Sequence, residues 1–334
     1  MQRKSRVILM IGSVVAAGAL IAACGGSGQI GGSGGGSAAA TPSNKNLVYI
    51  PGDIEPFYNS IDCSAKAEAS KLGYNLTQQG SGTFAVDSQT PIVNAVANTK
   101  PAGVLIAPTD PDAMLNPIKG LTSAGTKVVE VDTALTDASA TESSVSSNNV
   151  QGGKLAADTL AKLLGGKKGS VLVLNTTAGT STTVQREQGF DQEIKKYPNL
   201  TVLPQQFTNN LASQATSVLT DELSAHPDLV GVFATNLNTG QGAAAALQSA
   251  GDKGKVDLIG FDASPQEVTS LQQGVFQGLI AQDPAQIGID GVDQVVNAIE
   301  GKPVTKTIAT NLISLTAADT AEIAKYTYKA SACS

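Results

Sequence analysis

Six short apolar runs, LVYI (47–50), GVLIA (103–107), KVVEV (127–131), SVLVL (170–174), LVGVF (229–233) and VDLIGF (256–261), recur between stretches whose apolar residues fall three and four apart. That rhythm constrains the fold more than any other feature. Runs that are apolar throughout, not on alternate positions, suit strands buried on both faces, as in parallel sheets covered by helices on each side. The expected fold class is α/β, doubly wound.

The chain also echoes itself. Residues 101–132, PAGVLIAPTDPDAMLNPIKGLTSAGTKVVEVD, and residues 227–262, PDLVGVFATNLNTGQGAAAALQSAGDKGKVDLIGFD, share a Pro-led strand, a polar turn, a helix, the tripeptide Ser-Ala-Gly and a second strand ending in Asp. The second copy carries four extra residues at 252–255. Two similar lobes follow, each with a carboxylate, Asp132 or Asp262, at the carboxyl edge of its sheet, where ligands of open α/β sheets bind. The alternative is that both are Asx-type turn residues. Capping does not account for Asp262: Ser264, Pro265 and Glu267 form the Ser-x-x-Glu box that opens the next helix, with Pro at its first position. Between the lobes, DASATESSVSSNN (137–149) reads as a crossover and hinge segment, not as sheet core.

The amino terminus has a different character. Arg3, Lys4 and Arg6 precede an apolar stretch too short to span a bilayer, and IAAC ends it at Cys24, the layout of a bacterial secretion signal. A Gly/Ser-rich tether then runs from Cys24 to about residue 45. The ending resembles a lipobox, which implies that residues 1–23 are removed and that Cys24 is lipidated, placing the protein outside the cytoplasm and anchored to the cell membrane. Removal takes three basic and no acidic residues and moves the formal charge from −6 to −9, which excludes nucleic acid as an expected partner. Cys63 and Cys333 remain as an even pair in a disulfide-permissive compartment and are expected to bond; the alternative is two inert buried thiols.

Catalytic parts are scarce. His226, the one histidine, precedes Pro227 at the end of a helical stretch, and no metal-ligating cluster or cofactor site is legible. The string Gly-x-Ser-x-Gly at 31–35 lies in the tether, without the strand and helix of a nucleophile elbow. Gly240-Gln-Gly242-Ala-Ala-Ala245 imitates a dinucleotide fingerprint and is the basis of a minor oxidoreductase alternative, but ATNLNT intervenes where the tight turn belongs. No enzyme is expected. Carboxylates, amides and aromatics do gather at strand ends: Asp53, Glu55, Phe57, Tyr58, Asp132, Arg186, Phe207, Asn236, Asp262 and Gln282. They suit polyol recognition, since carboxylates and amides pair with vicinal hydroxyls, Arg offers a planar fork of donors and aromatic faces cover C–H faces.

From about residue 47 to 310 the sequence resembles the ribose-type periplasmic binding proteins of ABC importers, in EPFYNSIDCSAKAEASKLGYNL, VLIAPTDPDAM, VVEVDTAL, SSNNVQGGKLAADTLA, AGTSTTVQREQGF and GFDASPQEV, in the family's order. The resemblance implies two lobes joined by three crossovers, 46–148 plus 283–309 and 149–282 plus 310–334. It also implies a monomer that binds a monosaccharide or polyol by hinge closure and docks onto importer permease subunits. A sensory protein handing its liganded form to a chemoreceptor or sensor kinase, or a binder of another small molecule, is the alternative. By resemblance Phe57 and Tyr58 stack on the ligand and Phe207 faces them. Asp132 and Asp262 grip hydroxyls with Arg186 bridging, and Asn236 and Gln282 are second-lobe amides. Three positions depart: Glu55 and Ala107 replace amides and Thr133 replaces an arginine. Together they point away from ribose, toward a polyol, another sugar or an amine-bearing ligand.

Overall fold

The computed structural model describes residues 43–329, 331 and 333. The expected signal segment, Cys24 and the expected tether up to residue 42 lie outside them.

The first lobe is built on a six-stranded sheet in the order β12-β5-β4-β3-β1-β2, every pairing parallel. Its strands are β1 (Asn46–Ile50), β2 (Asn75–Gln78), β3 (Gly103–Ile106), β4 (Lys127–Val131), β5 (Ser143–Ser147) and β12 (Thr307–Thr310). Helices α1 (Pro56–Lys71), α2 (Val86–Thr99), α3 (Leu115–Ser123) and α9 (Pro284–Ile299) cover it. The second lobe carries β6 (Gly169–Asn175), β7 (Leu200–Val202), β8 (Gln206–Phe207), β9 (Leu229–Ala234), β10 (Asp257–Phe261), β11 (Gly278–Gln282) and β13 (Leu312–Leu315). Its order is β13-β11-β10-β9-β6-β7, with β8 beside β6 and only β13 antiparallel. Around it lie α4 (Asn149–Leu164), α5 (Ser181–Ile194), α6 (Ala212–Ala225), α7 (Leu237–Ala250), α8 (Pro265–Gln272) and, near the carboxyl terminus, α10 (Thr320–Tyr326).

Every residue of β3, β9 and β11 is buried, as expected of apolar runs between two helical layers. The two sequence echoes are β3–α3–β4 and β9–α7–β10, equivalent units of the two lobes. The chain passes between sheets at three places, from β5 into α4, from β11 into α9, and from β12 to β13.

One expectation changes. The stretch 137–149 is only partly a crossover, because β5 lies inside the first sheet between β4 and β12. Its serines tolerate this because their hydroxyls are spoken for: Ser143 donates to the Thr305 carbonyl (2.6 Å), Ser146 to the Asp132 carbonyl (2.6 Å) and Ser147 to Gln282 (2.7 Å). The glycines of the fingerprint-like motif lie within α7, not in a phosphate-binding turn. A Cβ on Gly242 would stand 2.1 Å from the Ala212 carbonyl oxygen, so that glycine serves the close packing of α6 on α7. His226 caps the carboxyl end of α6 beside Glu222, at 3.4 Å.

Candidate functional site

Strand-end geometry makes the site. Asp132 follows β4 and Asp262 follows β10, and each donates its backbone N–H to the next strand, to Val145 and Ile280 respectively, both at 2.8 Å. Both hold positive φ, 67° and 102°, a conformation costly to residues other than glycine. Two equivalent acids in equivalent strained turns open onto the same cleft between the lobes.

The first lobe contributes Asp53, Glu55, Phe57, Tyr58 and Asp132. Glu55 is the N-cap of α1, accepting from the Phe57 N–H (3.0 Å), and Pro56 follows at the first helical position. The helix thus starts at the cleft and sets Phe57 and Tyr58 beside it, their rings edge to face at 5.2 Å. Tyr58 donates its hydroxyl to Asp132 Oδ2 (2.8 Å). Phe84, ahead of α2, completes this wall. Gly52 makes room for it, since an added Cβ would lie 2.5 Å from the Phe84 ring and 2.6 Å from the Tyr58 hydroxyl.

The second lobe contributes Arg186, Asn236, Asp262 and Gln282. Asp262 Oδ1 accepts from Gln282 Nε2 (2.7 Å) and the Tyr328 hydroxyl (3.1 Å), and Oδ2 from the Leu237 N–H (3.1 Å). Gln282 Oε1 in turn accepts from Arg186 (3.2 Å) and from Ser147 across the crossover (2.7 Å). Arg186 is fixed by two further bonds, to Asn149 Oδ1 and the Thr235 carbonyl, both at 2.8 Å, and by stacking on Phe261 with its guanidinium carbon 3.7 Å from the ring centre. Its hydrogen bonds therefore go to second-lobe acceptors, and it acts on the two acids through its charge.

Two contacts close the cleft. Asn210, with φ of 58°, donates to Asp53 Oδ2 (3.3 Å) and accepts from Asn236 (2.6 Å). Ser181, at the start of α5, accepts from the Ala134 N–H (3.0 Å).

Of the residues expected at the site, all but one line the cleft: Phe207 does not. It is 37% exposed and borders a separate hollow with Val184, Glu187 and Gln205. Alternation along a strand is the reason. Thr208 turns inward, fully buried and bonded to the Asn175 carbonyl and Thr239, which sends its neighbour outward. Phe84 supplies the third aromatic instead. Sequence reasoning also missed Asn210 and the hydroxyl wall of Thr176, Thr180, Thr182 and Thr183. The doublet Asn209-Asn210 was the available signal, because Asn tolerates left-handed backbone at loop turns.

Burial dominates the electrostatics. Desolvation lifts Asp132 to about 6 against the pull of Arg186 and the Tyr58 hydroxyl, and lifts Asp53 to about 7 against its bond from Asn210. Asp262 is raised for the same reason, and Glu55, which keeps some solvent-facing surface, is raised by burial and by Asp53 and Asp262. The Arg186 guanidinium is lowered by burial, opposed by Asp262 and Asp132. No group of three His, Cys, Asp or Glu able to hold a metal ion exists among the described residues.

Residues 47–303 match the family described as periplasmic binding protein domain. The ribose import binding protein of Salmonella typhimurium is 36% identical over 255 residues, covering 75% of this chain and 82% of its own. Among solved structures, an ABC transporter solute-binding protein from Agrobacterium vitis bound with alpha-D-tagatopyranose superposes with a TM-score of 0.82 at 36% identity, over 85% of this chain and 99% of that one. A carbohydrate transporter solute-binding protein from Agrobacterium radiobacter in complex with D-arabinose does so at 0.80 and 27% identity, over 86% and 99%. The chain belongs to the ribose-type periplasmic binding proteins, and is a binding protein, not an enzyme.

Proposed function

We propose that this protein is the lipid-anchored, extracytoplasmic solute-binding component of an ABC importer, closing its two lobes around a monosaccharide or polyol and docking in that form onto the permease. The observation that carries the reading is the pair of strained acids. Asp132 and Asp262 come from equivalent strand ends of different lobes and open onto one cleft walled by Phe57, Tyr58 and Phe84. A hydroxylated ring between them touches both lobes at once, so binding and closure are one equilibrium. The ligand's differential affinity for the closed form drives the change. Relatives that bind ribose, tagatose and arabinose support the ligand class.

Thermal melting of the purified protein against a panel of pentoses, hexoses and polyols tests it, because a ligand at about 100 times its Kd adds roughly 2.7 kcal/mol to stability. At least one compound raises the melting temperature. A panel without any shift, with amino acids and purines giving one, argues for a different solute. For the anchor, labelling cells with radioactive palmitate marks the protein and Cys24→Ser abolishes the label; equal labelling of the variant removes the anchor from the reading.

A further inference from the structure

The cleft's charge is lopsided. Four carboxylates line it, Asp53, Glu55, Asp132 and Asp262, and one cation, Arg186. Three of Arg186's N–H donors are already spent on Asn149, Thr235 and Gln282. Asp132 has Tyr58 as a donor and Asp262 has Gln282 and Tyr328, but the remaining pair is poorly served. Asp53 is 6% exposed, yet its Oδ1 has no hydrogen-bond partner and its Oδ2 has only a 3.3 Å bond from Asn210. Glu55, two residues on, spends Oε2 on capping α1.

We infer that the ligand carries a protonated amine beside its hydroxyls, as an amino sugar or aminopolyol does, and that Asp53 and Glu55 receive the ammonium. The inference rests on the sugar-or-polyol reading and narrows it. Neutral hydroxyls satisfy acceptors but leave the surplus charge in place, and like charges in a poorly solvated cleft repel. An ammonium removes that repulsion and has three donors to share between the carboxylate oxygens of Asp53 and Glu55. Burial is the main reason that the Asp53 and Asp132 carboxyls are raised, and the neighbouring acids, Asp132 for the first and Asp262 for the second, push in the same direction. A metal ion does not fit the role, since no metal-holding cluster is found among the described residues.

Calorimetric titration of the full-length protein in mild detergent at pH 7 tests the assignment, with D-glucosamine, D-galactosamine and 1-amino-1-deoxy-D-sorbitol set against D-glucose, D-galactose and D-sorbitol. At least one amine binds ten times or more tightly than its neutral parent. Asp53→Asn and Glu55→Gln each reduce that preference tenfold or more, the amine losing more affinity than its parent, and Asp132→Asn weakens amine and parent by a similar factor. Melting curves of the variants establish that they are folded. Neutral compounds that bind as tightly as every amine, or a preference that survives both substitutions, overturn the inference and leave the sugar reading standing. Failure of both classes to bind folded protein overturns the two together.

Discussion

Asp132 and Asp262 each hold a backbone conformation that costs on the order of 1–3 kcal/mol, and their neighbours hold them there. The N–H of each is pinned to the adjacent strand, and the carboxylates are pinned by Tyr58 on one side and by Gln282, Tyr328 and the Leu237 N–H on the other. Strain maintained at two matched positions makes sense where the side chains must face a ligand. Replacing either by alanine leaves ligand hydroxyls unpaired in a closed cleft and removes one of the two charges that face Arg186, so affinity should fall thirtyfold or more, about 2 kcal/mol, in calorimetric titration with the best ligand of the panel. Wild-type affinity in both variants would remove these acids from the site. At this scale the sequence was a good guide wherever a residue ended a strand: Asp132, Asp262 and Gln282 were visible as polar residues closing apolar runs. It was a poor one where a side chain's direction depended on pairing. Phe207 has the right type and place in the order, but β8 is two residues long and its register against β6, which no local pattern announces, turns the ring away.

Among the elements, α4 and α5 decide where Arg186 stands. They cross with their backbones in contact: a Cβ on Gly153 would lie 1.8 Å from the Arg186 carbonyl oxygen, and one on Gly189 2.0 Å from that of Val150. Both obstacles are main chain, so neither can rotate aside. Gly153→Ala must push the helices apart, carrying Arg186 away from Asn149 at the first turn of α4. The expected result is a loss of about 1–3 kcal/mol or more in unfolding free energy together with weaker ligand binding, read by urea denaturation and titration. A variant unchanged in both would show that the crossing has no hold on the site. The helices and buried strands were legible because burial on two faces leaves a continuous apolar run. β5 was not, since SSVSS carries one apolar residue and owes its place to hydroxyls bonded to neighbouring carbonyls and to Gln282, partners distant in sequence.

Over the whole molecule, three chain crossings join the lobes and the carboxyl-terminal segment adds a fourth tie. Tyr328 touches both sides, its ring 5.8 Å from Phe57 of the first lobe and its hydroxyl on Asp262 of the second, while the Lys329 N–H donates to Ser60 (2.7 Å). A disulfide from Cys63 in α1 to Cys333, Cα atoms 4.9 Å apart and 270 residues apart in sequence, fastens that segment to the first lobe. Cys63→Ser should lower the unfolding free energy by about 2–5 kcal/mol in urea titrations, and reductant should do the same to the wild type but not to the variant. Proton linkage gives a second handle on global stability. Glu130 and Asp53 are held up to about 7 and Asp132 to about 6, each mainly by burial. An acid whose folded pKa lies above its unfolded value favours the folded state while protonated. Its contribution is complete below the unfolded value near 4 and is lost as pH rises through 6 and 7. The lowered carboxyls, Asp137, Glu300 and Asp319, work in the opposite sense but keep more solvent contact, so they weigh less. The unliganded protein should therefore be more stable at pH 5 than at pH 8, by on the order of a few kcal/mol in chemical denaturation. Glu130 is buried within β4 and does not line the cleft; it accepts from the Leu135 N–H (3.1 Å). Glu130→Gln should accordingly flatten part of the slope without altering ligand affinity at pH 7. A stability that climbs between pH 5 and pH 8 would mean that these acids ionise freely in the folded protein, and that the cleft is better supplied with positive charge or water than its walls indicate.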